Sequence, residues 1–499
     1  MSGGSLNTRV ARGVAWAAGA QAIIAIADLV SIFLVSVFLS RGDYGVIGSV
    51  VPFYTALDYI ADLGVGSALI QHDDHTPERV STVFWFNMLV TTGLFLLLLG
   101  FGPLYAWIQD TPIIAWLLIA YGGKLLIQNF YAIPFALLRK ELRFSDVAKA
   151  RVVAHLAESI GRVVFVYLGA GLWCFTLAAL VRAFVFAIAM QWLHPFVPRF
   201  VFRPREVISY VKFGARTAAS NVLYQVYTSL DTPIVFHYFG AEAAGIYTVA
   251  DQFVLEPVKT IANIVIDVAF PTFAKLRADT KALASQLIKF TRLNLMAVLP
   301  YTILILLIAP EILNLFWLGK GGDDVKWTQS NVDAAAKAVR ILCVMGFFRS
   351  LGFLGPPLLD GVGRPDLTLR YMVLAAIAVP ASFIAGAKLL GPSLGFLSVA
   401  VAWAIGYPIA FALLAYLVAH TIKLPLGHYL KSTYGVIATC AIGCGVGFAV
   451  DYALPTTSNS VRLVAVGGSA LATIFLLLVT WQGVTPRSIA AAMKDERTS

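Results

Sequence analysis

The chain has few charged residues for its length. Asp, Glu, Lys and Arg make up 13% of its 499 residues, whereas about 25% is usual in soluble domains. So few charges cannot cover the surface of a soluble protein of this size, and 59% of the residues are hydrophobic. Repeated apolar stretches of about 20 residues predict an all-α polytopic membrane protein instead.

Cysteine is also scarce, and no catalytic motif stands out. Cys174, Cys343, Cys440 and Cys444 all fall inside apolar runs. No His or acidic neighbour completes a metal site with them, so we expect buried thiols rather than ligands or disulfides. Nucleotide-binding loops, metal-ligand spacings and nucleophile motifs are missing as well. We therefore predict a protein that is not an enzyme, with no catalytic residue, cofactor or metal.

A short, cleavable hydrophobic leader is not apparent either. The first apolar run, 13–39, is too long for a signal-peptide core and is expected to remain as a helix. The formal net charge is +10, but the basic residues lie mostly at loop edges. Membrane topology explains that placement, so we predict no nucleic-acid partner.

The apolar stretches predict about fourteen transmembrane helices. Their spans are 12–38, 44–69, 80–108, 112–138, 147–169, 172–195, 213–238, 243–273, 287–317, 335–358, 369–389, 393–420, 429–452 and 461–482. An even number puts both termini on one side of the membrane. Lys and Arg are concentrated in the connections that lie on the same side of the membrane as the two termini. This distribution predicts a protein of the cell inner membrane with both termini cytoplasmic.

The two halves of the chain show a weak internal repeat. Gly45 aligns with Gly245 and Phe53 with Phe253. Both segments enter the membrane from the same side, which predicts two parallel-repeat lobes of six helices with substrate between them near the midplane. The predicted divisions are an N-lobe at 1–198, an interfacial linker at 199–212, a C-lobe at 213–422, and two extra helices with a cytoplasmic tail at 423–499.

Ionisable residues inside the predicted spans indicate a polar interior. In Val211–Asp279, two apolar runs joined by a turn at Phe239–Ala244 contain Arg216 and Asp231. Such groups at membrane depth cost about 2.5–3.5 kcal/mol each and normally face a bundle interior or a water-filled cavity. This hairpin is therefore predicted to line something polar.

One polar stripe follows the predicted helix 147–169. Arg151, His155, Glu158 and Arg162 recur at one-turn intervals, which puts them on one face. Glu158 can pair with Arg162 within the helix. Even with that pair, Arg151 and His155 are left for an aqueous or anionic partner.

A second stripe follows the predicted helix 213–238. It contains Arg216, Tyr224, Tyr227 and Asp231. The two tyrosines are either ordinary packing residues or platforms on which sugar rings stack.

Other cations at membrane depth have fewer local partners. Lys259 can pair with Glu256 three residues earlier. Lys124, Arg182 and Arg349 have no acidic residue one turn away. Each therefore needs an acidic partner from a distant part of the chain or an anionic ligand, and they are the leading candidates for substrate contact.

Several short motifs carry a family resemblance. They are Ser40–Gly45, Asp62–Ile70, Gly214–Arg216, Ala244–Tyr247 and Ala269–Pro271. In order and spacing the chain resembles the polysaccharide transporter branch of the multidrug/oligosaccharidyl-lipid/polysaccharide exporter superfamily, the Wzx-type flippases.

This resemblance implies a function. It implies a flippase that moves undecaprenyl-diphosphate-linked oligosaccharides for exopolysaccharide, capsule or O-antigen biosynthesis, by alternating access of the two lobes around a cationic cavity. The implied surroundings are membrane lipids, with a polysaccharide polymerase and chain-length machinery as candidate partners of a monomer. The candidate substrate-binding residues are Lys124, Arg182, Arg349, Arg162, Arg151, His155, Arg216, Tyr224, Tyr227 and Lys259. Asp28, Asp62 and Asp231 either bind a coupling proton or Na⁺ or pair with these arginines.

Three other functions compete with this interpretation. A multidrug or cation antiporter of the same superfamily would favour an anionic or apolar cavity. A peptidoglycan-precursor lipid flippase would also have fourteen helices and a cationic cavity. A membrane glycosyltransferase, polymerase or ligase would normally carry a large outward loop, but the longest predicted outward connection, Gly319–Asp333, is short.

Overall fold

Helices account for nearly all regular structure in the computed structural model of this chain. The structure describes residues 19–483 except 22, 25, 29, 37, 63–75, 142, 204, 206–207, 320–326 and 455–457, and it leaves the side chains of 62 and 208–217 undescribed. Within these limits the extended structure is one isolated bridge, between Leu318 and Trp327. The all-α fold predicted from the apolar runs is confirmed.

The helices are numbered α1 to α16 in chain order. They are α1 Gly19–Ser36, α2 Arg41–Asp62, α3 Pro77–Ile108, α4 Ile113–Lys140, α5 Phe144–Tyr167, α6 Trp173–Leu193, α7 Ile208–Ser229, α8 Asp231–Lys275, α9 Thr280–Phe316, α10 Gln329–Gly352, α11 Gly355–Gly361, α12 Pro365–Leu389, α13 Gly391–Leu394, α14 Leu397–Ile422, α15 Leu426–Ala453 and α16 Asn459–Thr480.

Each predicted span overlaps at least one helix in the described part of the chain. Among the described residues, ten helices are long and apolar enough to cross a membrane. The exact number of crossings therefore stays a prediction, whereas the multi-pass architecture is clear.

The predicted hairpin 211–279 is divided differently from the expectation. The first helix ends at Ser229, and α8 begins at Asp231, whose carboxylate accepts a hydrogen bond from the Thr232 N–H at 2.9 Å. An acidic group at a helix start satisfies free N–H groups there. Inside α8 the chain turns at Gly240, which has φ 82° and ψ 175°. Only glycine adopts that conformation at little cost, so the predicted turn is a glycine kink inside α8.

The described residues form two compact units. Those up to Gly245 belong to the first unit, and those from Ile246 onward belong to the second. The predicted lobes, linker and C-terminal extension have other boundaries, and they stay a prediction because compactness does not show which helices move together.

In the first unit, aromatic and polar contacts fix α2 beside α4. The rings of Tyr54 and Tyr121 stack with centroids 3.6 Å apart. The Tyr54 hydroxyl also donates to the Leu117 carbonyl at 3.0 Å. Both rings are buried, and together they bring Asp58 of α2 close to α4.

Asparagines join α3 to α4. The Asn87 amide donates to the Asn129 side-chain oxygen at 2.8 Å, and Asn129 donates to the Thr91 hydroxyl at 2.8 Å. These groups are buried. Buried amides that satisfy one another fix helix register better than apolar contacts alone.

The first turns of α2 cross α8 just after the Gly240 kink, at Gly45 and Gly245. A Cβ atom on Gly45 would overlap the Ala241 carbonyl, and one on Gly245 would overlap the Arg41 carbonyl. Beside them Arg41 pairs with Glu242 at 3.1 Å. The two glycines that align in the internal repeat are therefore in contact, and this crossing has no room for side chains.

In the second unit, α15 and α16 pack against α9. Leu295, Val436, Cys440 and Ile474 belong to their shared apolar cluster. Arg462 of α16 bridges Asp451 of α15 and Glu311 of α9. The two C-terminal helices are thus attached to the second unit by both apolar packing and an ion cluster.

The burial predicted for the cysteines is confirmed in large part. Cys174, Cys343 and Cys440 are buried, and Cys444 is half-buried. They pack as small apolar side chains.

Candidate anion-binding cavity

Four helices of the first unit, α2, α4, α5 and α6, line an open cavity of about 460 Å³. That volume falls within the range of small-molecule pockets. The lining residues are Asp58, Tyr59, Lys124, Gln128, Tyr131, Ala132, Phe135, Arg139, Arg151, Ala154, His155, Arg182, Ala183 and Phe186. Cations outnumber carboxylates in this wall.

Lys124 points at a carboxylate from another helix. Its ammonium nitrogen lies 2.5 Å from Oδ2 of Asp58, and the Tyr121 hydroxyl donates to the same oxygen at 2.8 Å. Lys124 is 3% exposed, so a partner is needed to offset the cost of burying its charge. Of the two alternatives for Lys124, the distant acidic partner is present in the structure, and contact with substrate stays a prediction.

Arg182 is paired in the same way. Its guanidinium donates to Oε2 of Glu158 at 3.0 Å. Glu158 also lies 3.6 Å from Arg162, the pair expected within α5, and 3.6 Å from His155. The buried Glu158 carboxylate therefore lies within ion-pair distance of three basic groups.

Arg162 continues the network towards α1. It lies 3.6 Å from the Asp28 carboxylate and donates to the Ser31 hydroxyl at 2.9 Å. Asp28 also accepts from Ser159 at 3.2 Å. For Asp28, pairing with an arginine is thus observed, and a role in ion coupling stays a prediction.

These pairs cancel most of the charge around the cavity. Three carboxylates, those of Asp28, Asp58 and Glu158, are matched by Lys124, Arg162 and Arg182. The balance is neutral, so the network alone would not attract an anion.

Arg139 and Arg151 break this balance. Both are exposed and line the cavity, and neither has a carboxylate at ion-pair distance in the described part of the chain. Arg139 lies over the Phe135 ring, 5.5 Å from its centroid, and its charge repels that of Arg151. Two uncompensated guanidinium groups at one cavity form a site suited to an anion.

Sequence reasoning missed Arg139, because it was counted among the basic residues at the cytoplasmic helix ends. A signal was present: Lys124, Gln128, Tyr131, Phe135 and Arg139 recur at one-turn intervals along α4, and all five line the cavity. This is the same periodicity that identified the stripe on α5.

The remaining candidates lie away from this cavity. Arg349 of α10 is buried, with its guanidinium 5.5 Å from the Phe353 ring centroid. Lys259 lies 3.5 Å from Glu256 in α8, the expected local pair. Tyr224 and Tyr227 make an edge-to-face contact with each other at 5.4 Å.

Two candidates cannot be placed. The side chains of Asp62 and Arg216 lie outside the described residues. The structure thus brings together Lys124, Arg182, Arg151 and His155 at one cavity, with Arg162 beside it. In the described part of the chain, no three His, Cys, Asp or Glu side chains come together as a metal site requires.

Comparison with known sequences gives a consistent set of relatives. Residues 34–321 match the model of a family described as polysaccharide biosynthesis protein. The chain is 25% identical over 487 residues to the teichuronic acid biosynthesis protein TuaB of Bacillus subtilis, covering 95% of this chain and 96% of the relative. It is 26% identical over 415 residues to the lipopolysaccharide biosynthesis protein WzxC of Escherichia coli, covering 80% of each. It is 24% identical over 385 residues to the succinoglycan biosynthesis transport protein ExoT of Rhizobium meliloti, covering 76% of this chain and 74% of the relative.

Solved structures show the same fold. The lipid II flippase MurJ in an inward-closed conformation superimposes with a TM-score of 0.73 at 16% identity, over 93% of this chain and 98% of MurJ. An inward-facing multidrug resistance transporter of the MATE family superimposes with a TM-score of 0.62 at 18% identity, over 81% of this chain and 94% of the transporter. At these identities the likeness concerns fold alone.

Proposed function

Since this chain belongs to the polysaccharide biosynthesis protein family, we propose that it is a flippase for lipid-linked oligosaccharides. Its substrate class would be an undecaprenyl-diphosphate-linked repeat unit, moved across the membrane during polysaccharide assembly. The chain is a multi-pass membrane protein with a transporter fold, which suits translocation better than synthesis.

One observation carries this proposal: the cavity remains cationic after its internal ion pairs are counted. A diphosphate head group is strongly disfavoured in hydrocarbon because its charges lose their hydration. The guanidinium groups of Arg139 and Arg151 can replace water as hydrogen-bond donors to phosphate oxygens. The lipid tail is apolar, so it can stay in the bilayer while the head group occupies the cavity.

The other lining residues suit a sugar attached to a diphosphate. Gln128 contributes an amide to the lining, and Tyr59 and Tyr131 contribute aromatic side chains. Amides, hydroxyls and aromatic rings are the groups with which proteins hold small polar ligands. Movement of two lobes in alternating access, with a proton or Na⁺ at Asp28, Asp62 or Asp231, is part of the proposal.

The names of the relatives support the substrate class without choosing a glycan. Teichuronic acid, lipopolysaccharide and succinoglycan are different polymers. One of the relatives is named a transport protein. If the lipid-diphosphate carrier is shared, related proteins can transport different glycans on it. We therefore expect Arg139 and Arg151 to bind the diphosphate and not the sugar.

Two related functions fit less well. An antiporter for cationic drugs would gain from an anionic cavity, and the uncompensated charges here are positive. A peptidoglycan-precursor flippase fits the charge, but the sequence relatives are named for other polysaccharides.

The test is a flipping assay in reconstituted liposomes with a lipid-diphosphate oligosaccharide. In the double variant Arg139→Gln/Arg151→Gln we expect the flipping rate to fall about tenfold or more, since each lost charged hydrogen bond is worth about 1.5–3 kcal/mol. Arg340→Gln, which removes an exposed cation of α10, is the matched control and should keep the wild-type rate.

Two outcomes would contradict this function. Equal flipping rates in Arg139→Gln/Arg151→Gln and the wild type would mean that this cavity does not recognise the head group. A wild-type protein that transports an organic cation and leaves the lipid-linked sugar in place would belong with the antiporters.

A further inference from the structure

The lining of the cavity in the first unit can accommodate a sugar, but it has few groups with which to select one. Besides its charged residues and His155, the described lining has one amide, that of Gln128, and no Ser, Thr or Asn side chain. A sugar ring carries hydroxyls on most of its carbons, and a pocket that selects one sugar needs polar groups placed to match them. The lining is therefore better equipped to recognise the phosphate than the sugar.

The aromatic rings of the lining pack mainly against one another. Phe186 contacts Tyr131 and Phe135 edge to face, with ring centroids 5.0 Å and 6.0 Å apart. The Arg139 guanidinium lies over the Phe135 ring, 5.5 Å from its centroid. Rings held in this way form an apolar wall that tolerates a sugar without requiring a particular one.

The uncompensated charge of the cavity determines which anion fits it. In the described part of the chain the buried ion pairs cancel, and Arg139 and Arg151 leave two positive charges in the lining. These two charges repel each other. An anion with two negative charges placed between them removes that repulsion.

Two kinds of polyprenyl lipid carry such an anion. A diphosphate that joins a lipid to a sugar has one ionised oxygen on each phosphorus. A polyprenyl monophosphate, which we call the bare carrier, has the same tail and a charge of about −1.5 to −2 on its single phosphate at pH 7. Guanidinium groups bind the oxygens of either head group with two parallel hydrogen bonds. The two lipids thus match in charge and tail, and they differ in the sugar.

We propose that Arg139 and Arg151 also bind the bare carrier, and that the protein moves it across the membrane in the direction opposite to the lipid-linked sugar. This inference rests on the proposed function and extends it from export to exchange. An exchanger does not have to return with two guanidinium groups unmatched, because the bare carrier compensates them on the way back. The same two arginines would therefore act in both directions.

The test uses the purified full-length protein in liposomes that contain radiolabelled undecaprenyl phosphate. A soluble phosphatase added outside releases label from the outer leaflet at once, and from the inner leaflet only as fast as the lipid crosses. The wild type should release the inner label well above the rate of protein-free liposomes. In Arg139→Gln/Arg151→Gln that rate should fall about tenfold or more, because both charged contacts to the phosphate are lost. Arg340→Gln, which removes an exposed cation of α10, should keep the wild-type rate.

Three further measurements on the wild type make the result specific. Excess lipid-diphosphate oligosaccharide should slow the crossing of undecaprenyl phosphate, because both lipids occupy the same site. Radiolabelled inorganic phosphate, which has the charge without the tail, should not enter the liposomes. Labelled phosphatidylglycerol, which has a tail and one negative charge, should cross no faster than in protein-free liposomes.

Exchange is overturned if the wild type moves the lipid-linked oligosaccharide and leaves undecaprenyl phosphate in place, and the proposed function then stands without it. It is also overturned if Arg139→Gln/Arg151→Gln moves undecaprenyl phosphate at the wild-type rate, if the oligosaccharide does not compete, or if either control anion crosses as readily. A wild type that moves neither lipid contradicts both proposals. Movement of undecaprenyl phosphate alone supports transport of the bare carrier and contradicts the proposed function.

Discussion

Individual side chains decide what this cavity can bind. Lys124, the most deeply buried of its cations, is already matched by Asp58, and Arg182 by Glu158. The cations with capacity for a ligand are instead Arg139 and Arg151. Both are exposed, Arg139 in the last turn of α4 and Arg151 about two turns into α5. At this cavity, the cations best hidden from water are those whose charge is already compensated.

The Lys124–Asp58 pair gives a prediction about stability. Asp58→Asn leaves the Lys124 ammonium buried without a carboxylate, so the free energy of unfolding should fall by about 3 kcal/mol. In Asp58→Asn/Lys124→Met most of that loss should return, since no buried charge remains. Chemical denaturation in one detergent would measure both variants.

Transport by Asp58→Asn/Lys124→Met then separates a structural role of Lys124 from a role in binding substrate. A rate that recovers together with stability makes the pair structural. A rate that stays low in the stable double variant assigns Lys124 to the substrate. If Asp58→Asn is as stable as the wild type, the pair contributes nothing and Lys124 has another compensating group.

Residue spacing predicted part of this site and missed the rest. It identified the α5 stripe, because Arg151, His155 and Glu158 lie one turn apart in the sequence. It could not identify Asp58 as the partner of Lys124, because the two residues lie on different helices and only packing of α2 against α4 brings them together. Arg139 was missed for another reason: membrane topology already explained a cation at a helix end.

At the scale of helices, the crossing of α2 and α8 is the tightest contact described. Gly45→Ala and Gly245→Ala should each lower the melting temperature markedly, since the added methyl would meet a backbone carbonyl that has no rotamer to change. Gly93→Ala in α3, where the added atom meets nothing, should leave it unchanged or raise it slightly.

Thermal melting of the three purified variants would check this. Equal melting temperatures in Gly45→Ala, Gly245→Ala and Gly93→Ala would mean that the helices separate at little cost. The crossing would then be no constraint on the fold.

Helix positions were predictable from sequence to a large degree, because a span of about 20 apolar residues leaves the chain few alternatives in a membrane. The division of the 211–279 hairpin was not. A break at Ser229 and Asp231 depends on helix capping, and a kink at Gly240 depends on one backbone angle. Neither feature changes the hydropathy of the segment.

For the whole molecule, orientation in the membrane is a prediction that labelling can test. In a Cys444→Ser background, the remaining cysteines are buried. Ser393→Cys should react with a membrane-impermeant maleimide in intact cells, and Arg364→Cys should react only after the cells are opened. Both positions are exposed, and they lie at opposite ends of α12.

The reverse labelling pattern would place both termini outside and contradict the distribution of Lys and Arg. Labelling of both positions in intact cells would mean that α12 does not cross the membrane. In either case the helices would be as described and their arrangement in the bilayer would change.

The charge balance of the cavity also has an electrical consequence. The described ion pairs sum to zero, so an empty cavity has the two charges of Arg139 and Arg151, whereas one holding a doubly negative diphosphate is close to neutral. A membrane potential acts on net charge, at about 2.3 kcal/mol per elementary charge for every 100 mV. The loaded step would thus be nearly insensitive to voltage, and the return of the empty cavity would be the step that the cell's electric field accelerates or retards.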